Sequence, residues 1–260
     1  MLAPALLVLT ALATGPSAWQ DGSEETEGPT AERIEAALED LEGAFRSGDT
    51  KIRVQALDRA SDVVVPPVIE EIAGALKDRV PEVQAAAIQA LRWMDHPDAL
   101  EALHDAALTN RSLQKSEEFQ PALLRAIGQH ASPSSVRLLS HKPFSSPHYQ
   151  AERARILALG RIRSRDAVEA LLGMMRSSSR RDVDRHMGSF RMSLMVLTGT
   201  DQGPASAQWV RWWKASKKDF VVSPIRSELP RPTVMKWTEY WGLEDDYGRT
   251  RRREDRGEND

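Results

Sequence analysis

Four stretches of this chain open on the same pair of small and apolar residues: QALDRASDVVVPPVIEEIAGAL from Gln55, QALRWMDHPDALEALHDAAL from Gln89, RAIGQHASPSSVRLL from Arg125 and LALGRIRSRDAVEALLGMM from Leu157. The anchor alanines Ala56, Ala90, Ala126 and Ala158 lie 34, 36 and 32 residues apart, and a degraded copy puts Val196-Leu197 38 residues after Ala158. In each copy an Ala-Leu or Ala-Ile pair, often followed by Gly, closes one helix. A short turn with Asp, Ser or Pro comes next, and an apolar pair such as Ala99-Leu100 or Ala167-Val168 opens a second helix. A two-helix unit of this kind has apolar faces that it cannot bury alone, so such a period predicts a stack in which neighbours share one continuous core.

Outside the copies the pattern stays helical. In TAERIEAALEDLEGAFRSGD the residues Ile34, Ala37, Leu38, Leu41 and Phe45 share one face, Thr30 is placed to cap the helix and Gly48 to end it. Strand-like alternation is missing, and the one β-branched run, VVVPPV at 63–68, is broken by two prolines. The expected fold is therefore all-α, a right-handed solenoid of four to five stacked helix pairs. With 41% hydrophobic residues in 260, one elongated core can be buried. There is no cysteine, which excludes disulfides, Cys-ligated metals and thiol nucleophiles and leaves stability to packing.

The stretches DTKIRVQAL, KDRVPEVQAAAIQALRWMDHPDALEAL and AERARILALGRIRSRDAVEALLGMM resemble the HEAT-repeat family, including HEAT-like repeats of the phycobilin-lyase type. Asp78 and Val83 match the family's Asp before the repeat helix and the Val within it, whereas Gln84 stands where the family usually has Arg. The resemblance covers about residues 31 to 220 and implies an architecture rather than an activity. The third unit departs most, with an insertion around SLQKSEEFQP and a Pro-rich exit HKPFSSPHY, so a short second helix is expected there.

An end unit of such a stack has one face without a neighbour. Trp209, Trp212 and Trp213 in QWVRWWKASKKDF fall on one face and are read as the cap of a last unit at 190–220. Aromatic side chains bury about 150–250 Å² each, which suits that task. Leu197-Thr198-Gly199 followed by this Trp-x-x-Trp-Trp helix is similar to the last unit of some exported bacterial HEAT-repeat proteins. A carbohydrate-stacking or membrane-contact surface is the sharper alternative, with Lys214, Lys217 and Lys218 adding cationic character. A second aromatic cluster, KWTEYWGLEDDYG, follows the Pro-rich SPIRSELPRP. Its Trp237, Tyr240 and Trp241 either fold back onto the last unit or form a recognition segment that orders on a partner.

Catalytic signatures are absent: there is no Gly-rich phosphate loop, no GxSxG and no HExxH, and Ser112–Lys115 matches SxxK without its companion motifs. No catalytic, cofactor or metal residue is assigned. His148 and Glu152, four apart, read as an exposed polar face rather than half a metal site, and His96 and His130 as turn residues bonded locally. The arginines Arg153, Arg155, Arg161, Arg163, Arg165, Arg176, Arg180, Arg181, Arg185 and Arg191 invite comparison with HEAT-like DNA alkylation-repair glycosylases, which grip the duplex with a basic concave face. The formal charge of −3 and the acidic first third oppose that reading, and pairing with carboxylates and helix C-termini is preferred. Arg161, Arg163 and Arg165, with Trp237, Tyr240 and Trp241, are the candidate partner-binding residues.

The first 18 residues carry an apolar run from Leu2 to Ala13, the pattern of a signal peptide, with small residues that offer cleavage after Ala13 (Ala11-Leu12-Ala13) or after Ala18, although the n-region lacks Lys and Arg. An acidic linker at 19–30 then leads into the solenoid at 31–222, and 223–260 is read as a Pro-rich linker, the aromatic segment and a charged, disordered tail. Asn110-Arg111-Ser112 matches the glycosylation sequon by pattern alone. The expectation for function is a non-enzymatic, exported scaffold with a protein partner and no cofactor, its concave face lined by the second helices. The alternatives are a chromophore-lyase or chaperone-type factor, a nucleic-acid binder and, for the N-terminus, an uncleaved membrane anchor.

Overall fold

The computed structural model describes residues 28–223 and 228–243, and within them every regular element is helical. The leader, its cleavage sites and the charged C-terminal run lie outside the described residues. Helix α1 (Ala31–Ser47) starts where Thr30 Oγ1 accepts the Arg33 N–H at 3.3 Å and stops at Gly48, whose φ of +71° only glycine adopts without strain. The proline-broken VVVPPV becomes a helix start, with Pro66 supplying the fixed φ of a first turn that needs no N–H donor.

The helices form two layers. One contains α2 (Thr50–Ala60), α4 (Pro81–Trp93), α7 (Phe119–Gln129), α9 (Tyr149–Arg161) and α11 (Arg180–Thr198), each packed on the next. The other contains α1, α3 (Pro66–Gly74), α5 (Pro97–Thr109), α8 (Val136–Ser140), α10 (Arg165–Ser177) and α12 (Ser206–Ser216). A short helix α6 (Arg111–Lys115) is the insertion of the third unit, and α8, at five residues, is the shortened second helix expected there. Buried residues run without a break from Leu41 to Trp241, so the stack is one core.

The anchor alanines Ala56, Ala126 and Ala158 are fully buried, and they set the spacing of the first layer. A Cβ at Gly128 would stand 2.7 Å from Ala158 Cβ, and one at Gly160 2.6 Å from Ser193 Cβ, so α7, α9 and α11 approach more closely than any side chain larger than these allows. Contacts within the other layer are sparser. We call this closely packed layer of first helices the inner layer and the layer of second helices the outer layer.

Polar ties run from unit to unit. Arg53 meets Asp78 at 2.5 Å, with Asp78 also accepting the Val80 N–H and Gln84, in the place of the family's Arg, donating to the Asp78 carbonyl. His130 Nε2 donates to Leu91 O at 2.9 Å across the α4–α7 contact, so this histidine is a long-range tie and not a local turn contact. His96 does act locally, its Nδ1 accepting the Asp98 N–H as the cap of α5. Asn110 caps α6 through Oδ1 and donates Nδ2 to Leu76 O at 2.9 Å, which commits the amide nitrogen that glycosylation would have to take.

The last unit ends on α12. Trp209 is fully buried and donates Nε1 to Gly203 O at 2.9 Å, Trp213 is nearly so, and Trp212 lies half-buried between Trp209 and Phe220 in edge-on contacts. Arg165 stands over the Trp213 ring.

Two outcomes follow from this packing. Gly160→Ala forces α9 away from Ser193 and lowers the unfolding free energy by about 1–3 kcal/mol, read by chemical denaturation with an unchanged m-value. Burial also holds His130 and His104 below the ordinary 6.5, so the unfolded chain takes up protons there before the folded one does. Stability present above pH 6.5 is therefore lost as pH falls through the depressed values, and His130→Gln flattens the fall of the thermal midpoint between pH 7 and 5.

Candidate functional site

The C-terminal aromatic segment forms helix α13 (Arg231–Trp241), entered through Pro230 and Pro232 and closed by Gly242 at φ +66°, with Leu243 N–H bonded to Thr238 O at 3.0 Å. Trp237 and Trp241, four residues apart on one face, are both buried, as is Thr238 between them, and Tyr240 sits edge-on to Trp241. The segment folds back, but onto the middle of the inner layer and not onto the last unit. A Cβ at Gly128 of α7 would lie 2.6 Å from Trp241 Cη2, which places the indole directly over the tight α7–α9 contact.

Arginines from three inner helices surround it. Arg92 of α4, only 5% exposed, donates Nη2 to the Trp241 carbonyl at 2.7 Å, taking up one of the acceptors that a helix C-terminus leaves open. Arg125 of α7 and Arg153 of α9 stand over the Tyr240 ring at 5.2 and 4.8 Å, and Arg161 of α9 stands over Trp241 at 5.4 Å. The groove therefore holds a helix by its aromatic faces and its last carbonyls.

Electrostatics make this groove costly to form. Burial, with the charges of Arg125 and Arg161 adding to it, lowers the Arg92 guanidinium to about 10, and burial raises the Tyr240 phenol above its ordinary value against the pull of Arg153, Arg125 and Arg92. Among the described residues neither Arg92, Arg125 nor Arg153 has an ion-pair partner, and Arg92 Nε, Arg125 Nε and Trp241 Nε1 are buried without an acceptor. A buried donor left unmatched costs about 1–3 kcal/mol, so the docked helix satisfies the groove only in part.

The other candidate residues are dispersed. Arg163 donates to Ser223 O, and Arg165 pairs with Glu169 and faces Trp213, so neither enters the groove. Arg180 pairs with Asp184, Arg185 with Glu152 and Arg191 with Asp201, while Arg155 points its Nη1 to carbonyls of α8. The arginine-rich stretch thus makes no single basic face. Trp237 and Trp241, read as a recognition surface, are closed off from solvent while α13 stays docked. His148 and Glu152 do not meet: His148 Nε2 donates to Lys115 O, whereas Glu152 is buried, not exposed, and binds His186 at 2.8 Å. No group of three or more metal-ligating side chains occurs among the described residues.

Reasoning from sequence missed Arg92, Arg125 and Gly128. One signal was present: Arg92 and Gly128 occupy the same place in their units, two residues past the anchors Ala90 and Ala126. Residues 38–117 match the family model described as HEAT repeats, which supports a HEAT-repeat origin for the units from α1 to α6. No curated protein matches the chain.

Trp241→Ala removes the ring that fills the α7–α9 junction. We expect a loss of about 3–5 kcal/mol if the helix unfolds with the stack. If α13 only detaches, limited proteolysis between residues 223 and 230 accelerates sharply while the stack's melting transition persists.

Proposed function

We propose that this chain is a non-enzymatic interaction scaffold whose inner layer binds an aromatic, helix-forming protein segment, with its own α13 occupying that place in the free molecule. The observation that carries the reading is the clamp of Arg92, Arg125, Arg153 and Arg161 on a helix carrying Trp237, Tyr240 and Trp241. HEAT repeats commonly serve as protein-interaction scaffolds, and a rigid concave layer contributes repeat-by-repeat contacts at little ordering cost. Incomplete satisfaction of the groove favours exchange: an incoming segment that offers acceptors to Arg92 Nε and Arg125 Nε competes with α13 for the same floor.

The leader-like run from Leu2 to Ala13 supports placing this scaffold outside the cytoplasm, and no described helix is long and apolar enough to cross a membrane. Trp209, Trp212 and Trp213 act in this reading as the end cap of the stack, not as a ligand platform, since the first and last of them are turned inward.

A labelled synthetic peptide of residues 229–243 provides the test. A chain ending at residue 222, folded by circular dichroism, binds the peptide saturably, the full chain does not, and Arg92→Gln weakens binding by tenfold or more. A folded, truncated chain that leaves the peptide free would overturn the proposal.

A further inference from the structure

The outer layer is interrupted in the third unit. Helices α5 and α8, consecutive members of that layer, make no extensive contact, because α8 is cut to one turn and the insertion carrying α6 pushes in beside α7. The interruption opens a cavity of about 830 Å³, within the range of small-ligand sites, roughly 300–1,000 Å³. Its floor is the outward face of the inner layer, Leu123 and Leu124 of α7, with Leu138 of α8 at one wall and Leu108 of α5, 70% exposed, at the edge.

Around this apolar floor stand four cations and no carboxylate: Lys115 at the end of α6, Arg137 of α8, Lys142 of the following loop and Arg155 of α9. None of the four makes an ion pair among the described residues, whereas Arg46, Arg53, Arg59, Arg165, Arg180, Arg185 and Arg191 all do. Arg155 is the deepest. Its Nη1 donates to the carbonyls of Leu138 and Leu139 at 3.0 and 3.4 Å, which fixes the guanidinium in the cavity wall, and burial lowers its basicity with no carboxylate to offset it.

The walls are tied in place. Ser146 Oγ donates to Gln120 Oε1 at 2.7 Å and His148 Nε2 to Lys115 O at 3.1 Å, which fastens the loop after α8 to α6 and α7. Lys142 is held at φ +44°, a conformation that residues with a Cβ rarely adopt. The cavity is thus braced by contacts of the fold itself, and its lining separates into an apolar base and a cationic rim.

We propose that this cavity is a binding site for a small amphiphilic anion, a single acidic headgroup held by Lys115, Arg137, Lys142 and Arg155 with its apolar chain on Leu123, Leu124 and Leu138. The site lies on the outer layer, away from the groove that holds α13, and stands whether or not that groove binds a partner.

Calorimetric titration of the full chain with monomeric decanoate tests it, beside decanol, decyltrimethylammonium and inorganic phosphate. Decanoate is expected to bind at one equivalent and at least tenfold more tightly than any of the other three. Lys115→Gln and Lys142→Gln, at exposed positions that carry no fold contact through their side chains, are each expected to weaken decanoate by severalfold with an unchanged melting temperature. Arg155→Gln is expected to weaken it most. Equal binding of decanol would remove the role of the cations, and equal binding of phosphate that of the apolar floor. Either outcome overturns the proposal, as does no decanoate binding at all, or binding only to anionic phospholipid vesicles.

Discussion

Everything distinctive in this molecule depends on how closely its inner helices approach one another. Gly128 lies against Ala158, and Gly160 against Ser193, at separations that leave no room for another methyl group. Small residues at these points cost the helices some intrinsic propensity, about 1 kcal/mol for each glycine against alanine, and the packing they permit offsets it. Their second effect is geometric. By drawing α7, α9 and α11 together they form the close-packed floor of a trough, and the missing side chain at Gly128 gives Trp241 a flat seat.

That trough then sets the terms for whatever lies in it. Burial first, and the neighbouring charges of Arg125 and Arg161 after it, lower the basicity of Arg92, so a row of arginines along one face is costly to hold. Aromatic faces and helix carbonyls relieve part of that cost without neutralising any charge, which is what α13 supplies. An occupant of this kind is specific, because a guanidinium over a ring and a bond to a terminal carbonyl both require a defined pose. It also leaves the Nε donors of Arg92 and Arg125 without an acceptor among the described residues.

How much of this was legible in the sequence differs from element to element. The period of the anchor alanines, the start of α1 at Thr30, the stop at Gly48 and the shortened second helix of the third unit could all be read, because each is a local or repeating signal. The close approach of the first helices could not be read, since it depends on contacts such as Gly160 with Ser193, more than thirty residues apart. The groove escaped for a related reason. Arg161 and the residues of α13 stood out as arginine and aromatic clusters, but their partners Arg92, Arg125 and Gly128 are single residues inside ordinary-looking repeats. Glu152 misled because its helical spacing from His148 suggested an outward face, while its real partner, His186, lies one unit further on. The outer cavity came from the irregularity itself: the insertion and the Pro-rich exit looked like noise in the repeat, and they are what opens the outer layer.

The central claim is that α13 lies seated on the inner layer in the free chain, and the absence of cysteine makes a direct measurement simple. Single cysteines placed at the exposed positions Met235 on α13 and Gln89 on α4 can carry spin labels for a pulsed dipolar distance measurement. The account predicts one narrow distance population in the free chain, which broadens and lengthens when excess peptide of residues 229–243 is added. A broad distribution in the free chain would contradict it, since α13 would then be a tethered segment without a seat and the arginine groove would have no intramolecular occupant.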